Sequence, residues 1–488
     1  MPSALFPAAA SAELHTAGRA IEPSELEARV LETARWLRAS GVAVLAWQLD
    51  NGLEWIVLDL ACIAAEVVAV PLPGYFTAAQ LDHAIRDSGA DLIVLEHVST
   101  LSVLEGAAVV AGLPDVIASR RVYRLSAVRV RSLDAVAKIT YTSGTTGAPR
   151  GVCLTQNALN QVAQSLLDAT RSLDLRSHLC LLPLATLLEN VAGVQAPLAG
   201  GMRVVAPPLA QVGLLGGACF DVSRALAALA EFRPNSIILL PQMLLALVHA
   251  LERGARVPSD VRFVAVGGAR VPVALLERAS RVGLPIHEGY GLSECASVVA
   301  LNRPGAHRPG SVGRPLPHAR VRIAEDGEIL VSGAAMRGYL GHAPHADGWV
   351  ATGDIGSLDA DGFLYVRGRK KNVFITSFGR NVSPEWIESE LMATGAITQA
   401  LVDGEARPWN VALIVAAADR LAVRDAIDRA NRALPDYARV REWILADTPW
   451  TVTNQLATAN GRPRREAILA AYADRIAALY ARRPHATC

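Results

Sequence analysis

The sequence lacks an excess of charge of either sign, and this balance excludes several classes of protein. Lysine and arginine together number 47, against 46 aspartate and glutamate residues. The balance gives no reason to expect nucleic acid or an anionic membrane as the main partner. Hydrophobic residues make up 51% of the chain and charged residues 19%, which is typical of folded globular proteins and not of disordered ones.

Paired cysteines and long apolar runs are missing as well. The six cysteines are scattered with no C-x-x-C pair, so neither a disulfide framework nor a zinc site is expected. The N-terminus shows no signal peptide pattern. No charge-free apolar run reaches the length of about 18 residues that a transmembrane segment requires. We therefore expect a cytoplasmic protein, and its mean hydropathy of +0.28 is compatible with peripheral contact with a membrane.

The order of strand and helix patterns predicts the domain organisation. A chain of 488 residues is longer than one core usually holds. Strand and helix patterns alternate between residues 42 and 266, which predicts an α/β region with a mostly parallel sheet. Asp-Gly pairs at 326–327 and 361–362 lie between strand patterns and predict a small antiparallel β unit. We expect a disordered tail over 1–22, a large N-terminal domain over 23–369 and a small α+β C-terminal domain over 370–488.

The stretch over residues 141–152 carries the strongest chemical signal. It follows an apolar strand pattern and precedes Thr155, a suitable N-cap for the helix pattern that comes next. Glycine lets the backbone approach a ligand, hydroxyls add hydrogen-bond donors, and Arg150 adds a planar cation for phosphate. The stretch predicts a cradle for a polyanion, and a Ser/Thr/Gly-rich surface loop is the alternative from composition alone. It is not a Walker A loop, because no Gly-Lys-Ser/Thr follows at the required spacing.

Three further motifs offer groups that a nucleotide needs. Residues 266–269 end a strand pattern with small side chains, which leaves room for a flat ring. Residues 288–294 combine an aromatic face, glycine backbone, a hydroxyl and the Glu294 carboxylate, and Mg²⁺ prefers carboxylate and phosphate oxygens. The carboxylate of Asp354 can accept hydrogen bonds from both ribose hydroxyls. Taken alone, each of these motifs also fits an ordinary turn.

Taken together, these motifs resemble the signatures of the adenylate-forming superfamily, which includes acyl-CoA synthetases, luciferases and peptide-synthetase adenylation domains. Its phosphate loop usually has Lys where Arg150 stands, and its second signature usually has Thr where Ser293 stands. The resemblance implies that ATP and Mg²⁺ bind, with Glu294 and Thr142 at the metal. The implied residues for ATP and the acceptor are Thr142, Ser143, Gly144, Thr145, Thr146, Gly147, Gly267, Gly268, Ala269, Glu288, Gly289, Tyr290, Gly291, Ser293, Asp354, Arg369, Lys371 and Gly379.

The stretch over residues 368–388 most resembles the long-chain fatty acyl-CoA synthetases within this superfamily. Arg369 matches the residue that contacts ribose and phosphate. Lys371 matches the hinge about which a small, mobile C-terminal domain turns. Gly379 matches the loop that lines the tunnel of the thiol acceptor.

Two regions depart from the family pattern. Arg462 stands where the C-terminal signature has a lysine that acts in adenylation. Either Arg462 supplies the same charge, or adenylation is slow or uses another basic residue such as Arg464; we favour the first, because the need is for charge and not for proton transfer. Thr186 and Asn190 stand where the long-chain branch usually has His and Arg. Because that segment borders the acyl pocket in the family, the acid stays open between a fatty acid and an aromatic acid.

The resemblance implies an enzyme that activates a carboxylic acid in two steps. ATP and the acid give an acyl-AMP and pyrophosphate, and a thiol then displaces AMP. The implied catalytic residues are Arg462, Arg150 and Glu294. The acceptor is CoA or, alternatively, the phosphopantetheine of an acyl carrier protein. A nucleotide-binding homologue with weak or no ligase activity is the competing hypothesis, and Arg462 is the only feature that favours it.

Overall fold

The computed structural model describes residues 13–16, 18–97, 101–126, 133–142, 149–216, 219–342, 348–377, 380–458 and 461–481. In chain order its strands are β1 (Leu14–Thr16), β2 (Arg19–Ile21), β3 (Val44–Gln48), β4 (Val68–Pro71), β5 (Leu92–Leu95), β6 (Ala108–Val109), β7 (Arg121–Arg124), β8 (Lys138–Thr142), β9 (Arg150–Leu154), β10 (Ser177–Leu179), β11 (Arg203–Val205), β12 (Leu214–Leu215), β13 (Cys219–Phe220), β14 (Ser236–Leu239), β15 (Phe263–Val266), β16 (Ile286–Leu292), β17 (Ser297–Leu301), β18 (Arg314–Pro315), β19 (Ala319–Ile323), β20 (Glu328–Gly333), β21 (Gly338–Tyr339), β22 (Val350–Leu358), β23 (Leu364–Arg369), β24 (Phe374–Ile375), β25 (Asn381–Val382), β26 (Ile397–Asp403), β27 (Asn410–Ala416) and β28 (Val440–Leu445).

The helices, in the same order, are α1 (Pro23–Ala39), α2 (Leu53–Ala65), α3 (Ala78–Ser88), α4 (Gln156–Thr170), α5 (Ala196–Ala199), α6 (Val222–Phe232), α7 (Pro241–Glu252), α8 (Val273–Arg281), α9 (Pro384–Met392), α10 (Arg420–Ala433), α11 (Arg465–Ala471) and α12 (Ala473–Ala481). A π-helical segment, Glu189–Gln195, runs directly into α5.

Two large mixed sheets make up most of the N-terminal region. One has the strand order β21-β9-β8-β4-β3-β5-β7-β6 and the other the order β18-β17-β16-β15-β14-β10-β11-β1-β2. Their inner strands are parallel, and antiparallel strands lie toward the edges. Inner strands such as β5 and β14 are buried along their whole length, as expected where helices cover both faces of a sheet. The predicted α/β class with mostly parallel layers is confirmed.

Part of the predicted disordered tail is ordered in the structure. Strand β1 pairs in parallel with β11, and β2 pairs with β1 in the antiparallel sense. Leu14 and Ile21 are buried in the core. The prediction of disorder is therefore wrong for residues 14–16 and 19–21. The two strands have only three residues each, which is too short for a periodic pattern to show in the sequence.

The phosphate-loop stretch connects two strands, and not a strand and a helix as its pattern indicated. Strand β9 pairs antiparallel with β8 and brings Arg150 opposite Thr142. Helix α4 begins only afterwards, and the predicted N-cap is confirmed, because the Thr155 hydroxyl accepts a hydrogen bond from the Ala158 amide at 3.1 Å. Strands β8 and β9 therefore form an antiparallel pair whose facing ends are Thr142 and Arg150.

A buried ion pair ties α2 and β8 to the π-helical segment. The Lys138 ammonium lies 2.6 Å from one carboxylate oxygen of Asp59, and Asn190 donates to the other at 2.9 Å. Both charged side chains are almost fully buried, so each depends on the other for compensation. Asn190, found where the family pattern has Arg, is thus held inside a closed polar network, and Lys138 supplies the positive charge beside Asp59.

The remaining elements form two smaller units. Strands β19, β20, β22 and β23 form the antiparallel sheet that the two Asp-Gly pairs predicted. The C-terminal unit has a three-stranded sheet, β26-β27-β28, whose apolar core includes residues of α9 and α10. This confirms the predicted small α+β unit. Among the helices that the structure describes, none is long and apolar enough to cross a membrane.

Candidate active site

The ends of β15 and β16 form a wall of bare backbone. Gly268, two residues beyond β15, has a φ of +80°, in the left-handed region that glycine favours. A Cβ at Gly267 would lie 3.0 Å from the carbonyl oxygen of Gly289, and one at Gly291 would lie 1.9 Å from that of Ser297. A side chain is thus excluded at Gly291 and would be tight at Gly267. Backbone without side chains allows the close approach of a planar ring.

Asp354 on β22 sits at one end of this wall. Tyr290 donates its hydroxyl hydrogen to one Asp354 oxygen at 2.7 Å, and the Arg369 Nε atom lies 3.0 Å from the other. Arg369 also donates to the Thr352 carbonyl at 3.1 Å, which fixes its guanidinium. Burial raises the pKa of Asp354, although the Arg369 charge opposes that shift. A carboxylate oxygen can accept more than one hydrogen bond, so the site retains acceptor capacity for a diol.

Arg150 and Glu294 face each other across a tyrosine. The Arg150 guanidinium lies 4.1 Å from the centre of the Tyr339 ring, and its Nη2 atom lies 3.3 Å from the Tyr339 hydroxyl. That hydroxyl donates to the Glu294 carboxylate at 2.7 Å. Burial and the bond to Glu294 raise the pKa of Tyr339, so the phenol stays protonated. Thr142, at the end of β8, donates its hydroxyl hydrogen to the Arg150 carbonyl at 3.5 Å.

Arg462 reaches this cleft from the C-terminal unit. Its Nη2 atom lies 3.5 Å from the Gly268 carbonyl oxygen. The local turn is held by Thr458, whose hydroxyl accepts the Arg462 amide at 3.0 Å. The residue as a whole is exposed, but burial around its guanidinium and the charge of Arg369 lower the pKa of Arg462. The phenol of Tyr75 interacts electrostatically with the same guanidinium. Three parts of the chain therefore meet at this cation.

Lys371 lies in a single 3-10 turn, Lys370–Asn372, that follows β23 directly. Its neighbour Lys370 is anchored to Asp326 and Glu328 at 2.5 and 2.7 Å. Burial and the nearby Arg369 charge lower the pKa of Lys371. The chain passes from the antiparallel sheet into the C-terminal unit at this turn, a position that suits a hinge.

Glu288 is a buried acid beside the wall. It lies within β16 next to Val266 of β15, and its Oε2 atom has no hydrogen-bond partner among the residues that the structure describes. Burial raises the pKa of Glu288 to about 8, although the charge of Arg270 acts in the opposite direction. Ala269 is exposed in the turn after β15, and Ser293 opens the 3-10 turn that carries Glu294. The structure therefore brings both of these positions to the same edge as the glycine wall.

Six of the predicted residues fall outside the described part of the chain. They are Ser143, Gly144, Thr145, Thr146, Gly147 and Gly379. The first five connect β8 to β9, whose ends carry Thr142 and Arg150.

Three residues of the cleft were missed by the motif search. Tyr339, Tyr75 and Arg270 lie in stretches with no recognisable pattern. Each gains its place from long-range contacts: Tyr339 touches Glu294, 45 residues away in the chain, and Arg270 donates to the Val366 carbonyl, 96 residues away. An aromatic residue within a short strand gives no signal of such contacts.

Two family models match most of the chain. Residues 9–340 match the AMP-binding enzyme family, and residues 371–484 match the AMP-binding enzyme C-terminal domain. Feruloyl-CoA synthase of an Amycolatopsis species is 33% identical over 434 aligned residues, which cover 80% of this chain and 82% of the relative. Long-chain-fatty-acid–CoA ligase FadD15 of Mycobacterium bovis is 26% identical, covering 92% of this chain and 91% of the relative.

Solved structures agree with this assignment. O-succinylbenzoate coenzyme A synthetase of Bacillus subtilis, in complex with ATP and a magnesium ion, has a TM-score of 0.76 and 25% identity, over 95% of this chain and 97% of that chain. The anthranilate CoA ligase AuaEII, in complex with anthranoyl-AMP, has a TM-score of 0.78 and 21% identity, over 95% and 94% of the two chains, and shows the shared fold. The chain belongs to the AMP-binding enzymes of the adenylate-forming superfamily, and within them to the AMP-forming acid–CoA ligases.

Proposed function

We propose that this ligase converts a hydrophobic carboxylic acid, in the first instance a fatty acid, into its CoA thioester. In the first step a carboxylate oxygen attacks the α-phosphorus of ATP, the bond to the bridging oxygen breaks, and pyrophosphate leaves. In the second step the thiol sulfur attacks the acyl carbonyl carbon, AMP leaves, and the thiol proton passes to solvent. Neither step needs a protein nucleophile, so positioning and charge neutralisation carry the rate.

The observation that best supports this proposal is the position of Arg462 in the cleft. A cation from the C-terminal unit lies against Gly268, at the wall where the nucleotide ring would bind. A planar guanidinium can bind the α-phosphate and the entering carboxylate at once. In this position Arg462 would stabilise the negative charge that develops at the α-phosphate as the mixed carboxylic–phosphoric anhydride forms and pyrophosphate leaves.

The other predicted residues fit an ATP molecule lying along the wall. Asp354 would accept the ribose hydroxyls, and Arg369 would reach ribose and phosphate. Arg150 and the stretch 143–147 would bind the β- and γ-phosphates. Glu294, with the hydroxyl of Thr142, offers the oxygen ligands that magnesium prefers, and bound Mg²⁺ would neutralise phosphate charge.

The second step requires Arg462 to leave the cleft. We propose that residues 370–488 turn as a domain about Lys371 against residues 23–369, and that Gly379 then lines the path of the thiol. Lys371 suits this role because its two neighbours are anchored to different units. Lys370 pairs with Asp326 and Glu328 on the side of the antiparallel sheet, and Asn372 donates to Glu385 of α9 in the C-terminal unit. Domain turns of this kind often limit turnover.

The acid and the acceptor each have a second candidate. An aromatic acid is favoured by the 33% identity to a feruloyl-CoA synthase, which exceeds the 26% identity to the fatty-acid ligase. A carrier protein could replace CoA, because its phosphopantetheine presents the same thiol.

We also propose a cytoplasmic location, which is supported by free cysteines at Cys62, Cys153, Cys180, Cys219 and Cys295.

Acid-dependent exchange of labelled pyrophosphate into ATP tests the proposal. The panel would contain fatty acids of increasing length, cinnamic and benzoic acids, and a no-acid control. We expect exchange with at least one hydrophobic acid, followed by a thioester once CoA is added. ATP binding without exchange for any acid would overturn the ligase proposal and favour a nucleotide-binding homologue that has lost activity. A thioester with holo carrier protein and none with CoA would replace the proposed acceptor.

A further inference from the structure

A segment around Tyr339 touches both charged side chains that would face the phosphates. Strand β21 pairs with β9, so that Tyr339 lies opposite Val152, two residues from Arg150. The Leu340 amide donates to the Gly151 carbonyl at 2.7 Å. The backbone of Tyr339 is therefore fixed relative to the strand that carries the cation.

The same segment is also fixed to the carboxylate. The amide of Met336 donates to the backbone carbonyl of Glu294 at 2.7 Å. Residues 336–340 thus form a strap that joins β9 to the 3-10 turn carrying Glu294. The Tyr339 ring projects from this strap between the two charges.

The Tyr339 side chain makes a different contact with each charge. Its ring face lies 4.1 Å from the Arg150 guanidinium, a geometry that holds a planar cation without using a negative charge. Its hydroxyl donates to Glu294 at 2.7 Å and lies 3.3 Å from Arg150 Nη2. The Tyr339 hydroxyl thus lies within hydrogen-bond distance of both charged groups.

Without that hydroxyl, Arg150 and Glu294 could form a direct ion pair. A guanidinium and a carboxylate pair readily through two parallel hydrogen bonds. Such a pair would remove the cation from the phosphates and the carboxylate from the metal at the same time. The tyrosine keeps both groups ordered and available.

We propose that Tyr339 is a positioning residue that keeps Arg150 and Glu294 apart, so that one binds phosphate and the other binds Mg²⁺. This inference rests on the proposed ATP site. It assigns a role in nucleotide binding to a tyrosine that contacts both charged groups and lies between them.

Calorimetric titration with an ATP analogue that has a methylene bridge between the α- and β-phosphorus tests the inference without turnover. The variants are Tyr339→Phe, which removes only the hydroxyl, the same change in a Glu294→Gln background, and Glu294→Gln alone. Tyr365→Phe is the matched control, since the Tyr365 hydroxyl donates to Asp359 at 3.2 Å away from the cleft.

In EDTA, we expect Tyr339→Phe to weaken binding of the analogue about fivefold in the wild-type background and less than about twofold in the Glu294→Gln background. With the analogue present, the Mg²⁺ concentration for half-saturation should rise about fivefold for Tyr339→Phe and stay unchanged for Tyr365→Phe. The reason for the difference between backgrounds is that no carboxylate remains to capture Arg150 when Glu294 is replaced.

If Tyr339→Phe lowered affinity for the analogue equally in the wild-type and Glu294→Gln proteins, the hydroxyl would act through general packing, and the inference would be overturned. Unchanged affinity in both proteins would overturn it as well. The outcome is independent of the ligase proposal. A wild-type chain that binds the analogue but exchanges pyrophosphate with no acid would refute the ligase activity and leave this test intact.

Discussion

At the scale of single residues, arginine stands at two positions, 150 and 462, where the family pattern has lysine. The Arg150 guanidinium lies over the Tyr339 ring, and Arg462 reaches the Gly268 carbonyl. A planar guanidinium can stack on an aromatic face and bind phosphate through two hydrogen bonds, which the rounded ammonium of lysine cannot do. The contacts of each arginine thus explain how the replacement is accommodated.

Glu288 gives a prediction about stability and pH. Its pKa of about 8 in the folded protein lies above the ordinary value of 4.5, so the folded state holds a proton that the unfolded state releases. Its stabilising contribution is therefore complete below about pH 4.5 and is lost as the pH rises toward 8. Relative to Glu288→Gln, which stays neutral, the unfolding free energy of the wild type should fall by up to about 1.4 kcal/mol per pH unit within this window.

Denaturant unfolding of the two proteins at several pH values between 5 and 8.5 measures this difference. Parallel curves for wild type and Glu288→Gln would contradict the assignment of a buried, protonated carboxyl. Glu277→Gln, a change at a position on α8 away from the cleft, serves as the control and should give curves parallel to the wild type.

The sequence supplied the motif residues but not their partners. Asp354 and Glu294 were predicted from short signatures, and the structure gives each a tyrosine partner, Tyr290 and Tyr339. Tyr290 lies within a signature and was predicted as part of the site. Tyr339 was missed, because side chains brought together from distant parts of the chain leave no local pattern.

At the scale of secondary-structure elements, helix α9 ends against the N-terminal region. Arg278 on α8 donates to the carbonyl of Ala393, the C-cap residue of α9, at 2.9 Å. The same guanidinium forms two hydrogen bonds with Glu252 of α7 at 2.8 and 2.9 Å, which hold it in place. A cation at a helix C-terminus is favourable because the last carbonyls lack partners within the helix. This contact holds the C-terminal unit in the orientation that seats Arg462.

Replacement of Arg278 by alanine should slow adenylate formation much more than thioester formation. A part-buried hydrogen bond to a charged group contributes about 1.5–3 kcal/mol. Its loss should lower the fraction of molecules in which Arg462 lies in the cleft, and pyrophosphate exchange should slow about tenfold or more. Thioester formation from supplied acyl-AMP and CoA should change less than about twofold, because we propose that this step uses another orientation of the C-terminal domain. Arg281→Ala on the same helix is the control. Equal slowing of both half-reactions would contradict this role.

The sequence patterns failed to predict strands that are short or that pair with distant parts of the chain. Strand β9 was missed because its five residues include Gly151 and follow a glycine-rich stretch, so the pattern indicated a loop that runs into α4. Strands β1 and β2 were missed because an Ala/Pro-rich beginning is typical of disorder, and their order comes from the pairing of β1 with β11 and of β2 with β1. Asp-Gly turns, by contrast, are local signals, and both hairpins that they predicted are present.

At the scale of the whole molecule, the cleft is built from three parts of the chain. Tyr75 follows β4 of the first sheet, Gly268 follows β15 of the second, and Arg462 comes from the C-terminal unit. The order of elements in the sequence predicted the α/β class and the small C-terminal unit. The order of elements could not predict the orientation of that unit relative to the sheets. The orientation depends on contacts between distant segments, such as the hydrogen bond from Arg278 to the Ala393 carbonyl.

The rate of acid-dependent pyrophosphate exchange by Arg462→Ala, with Arg462→Lys and Arg464→Ala alongside, tests the central claim most directly. Loss of a group that stabilises developing charge typically costs about 10²–10³-fold, so Arg462→Ala should lose exchange by that factor while thioester formation from supplied acyl-AMP persists. Arg462→Lys should retain most of the exchange, and Arg464→Ala should resemble the wild type. Undiminished exchange by Arg462→Ala, or its loss in Arg464→Ala alone, would contradict the account.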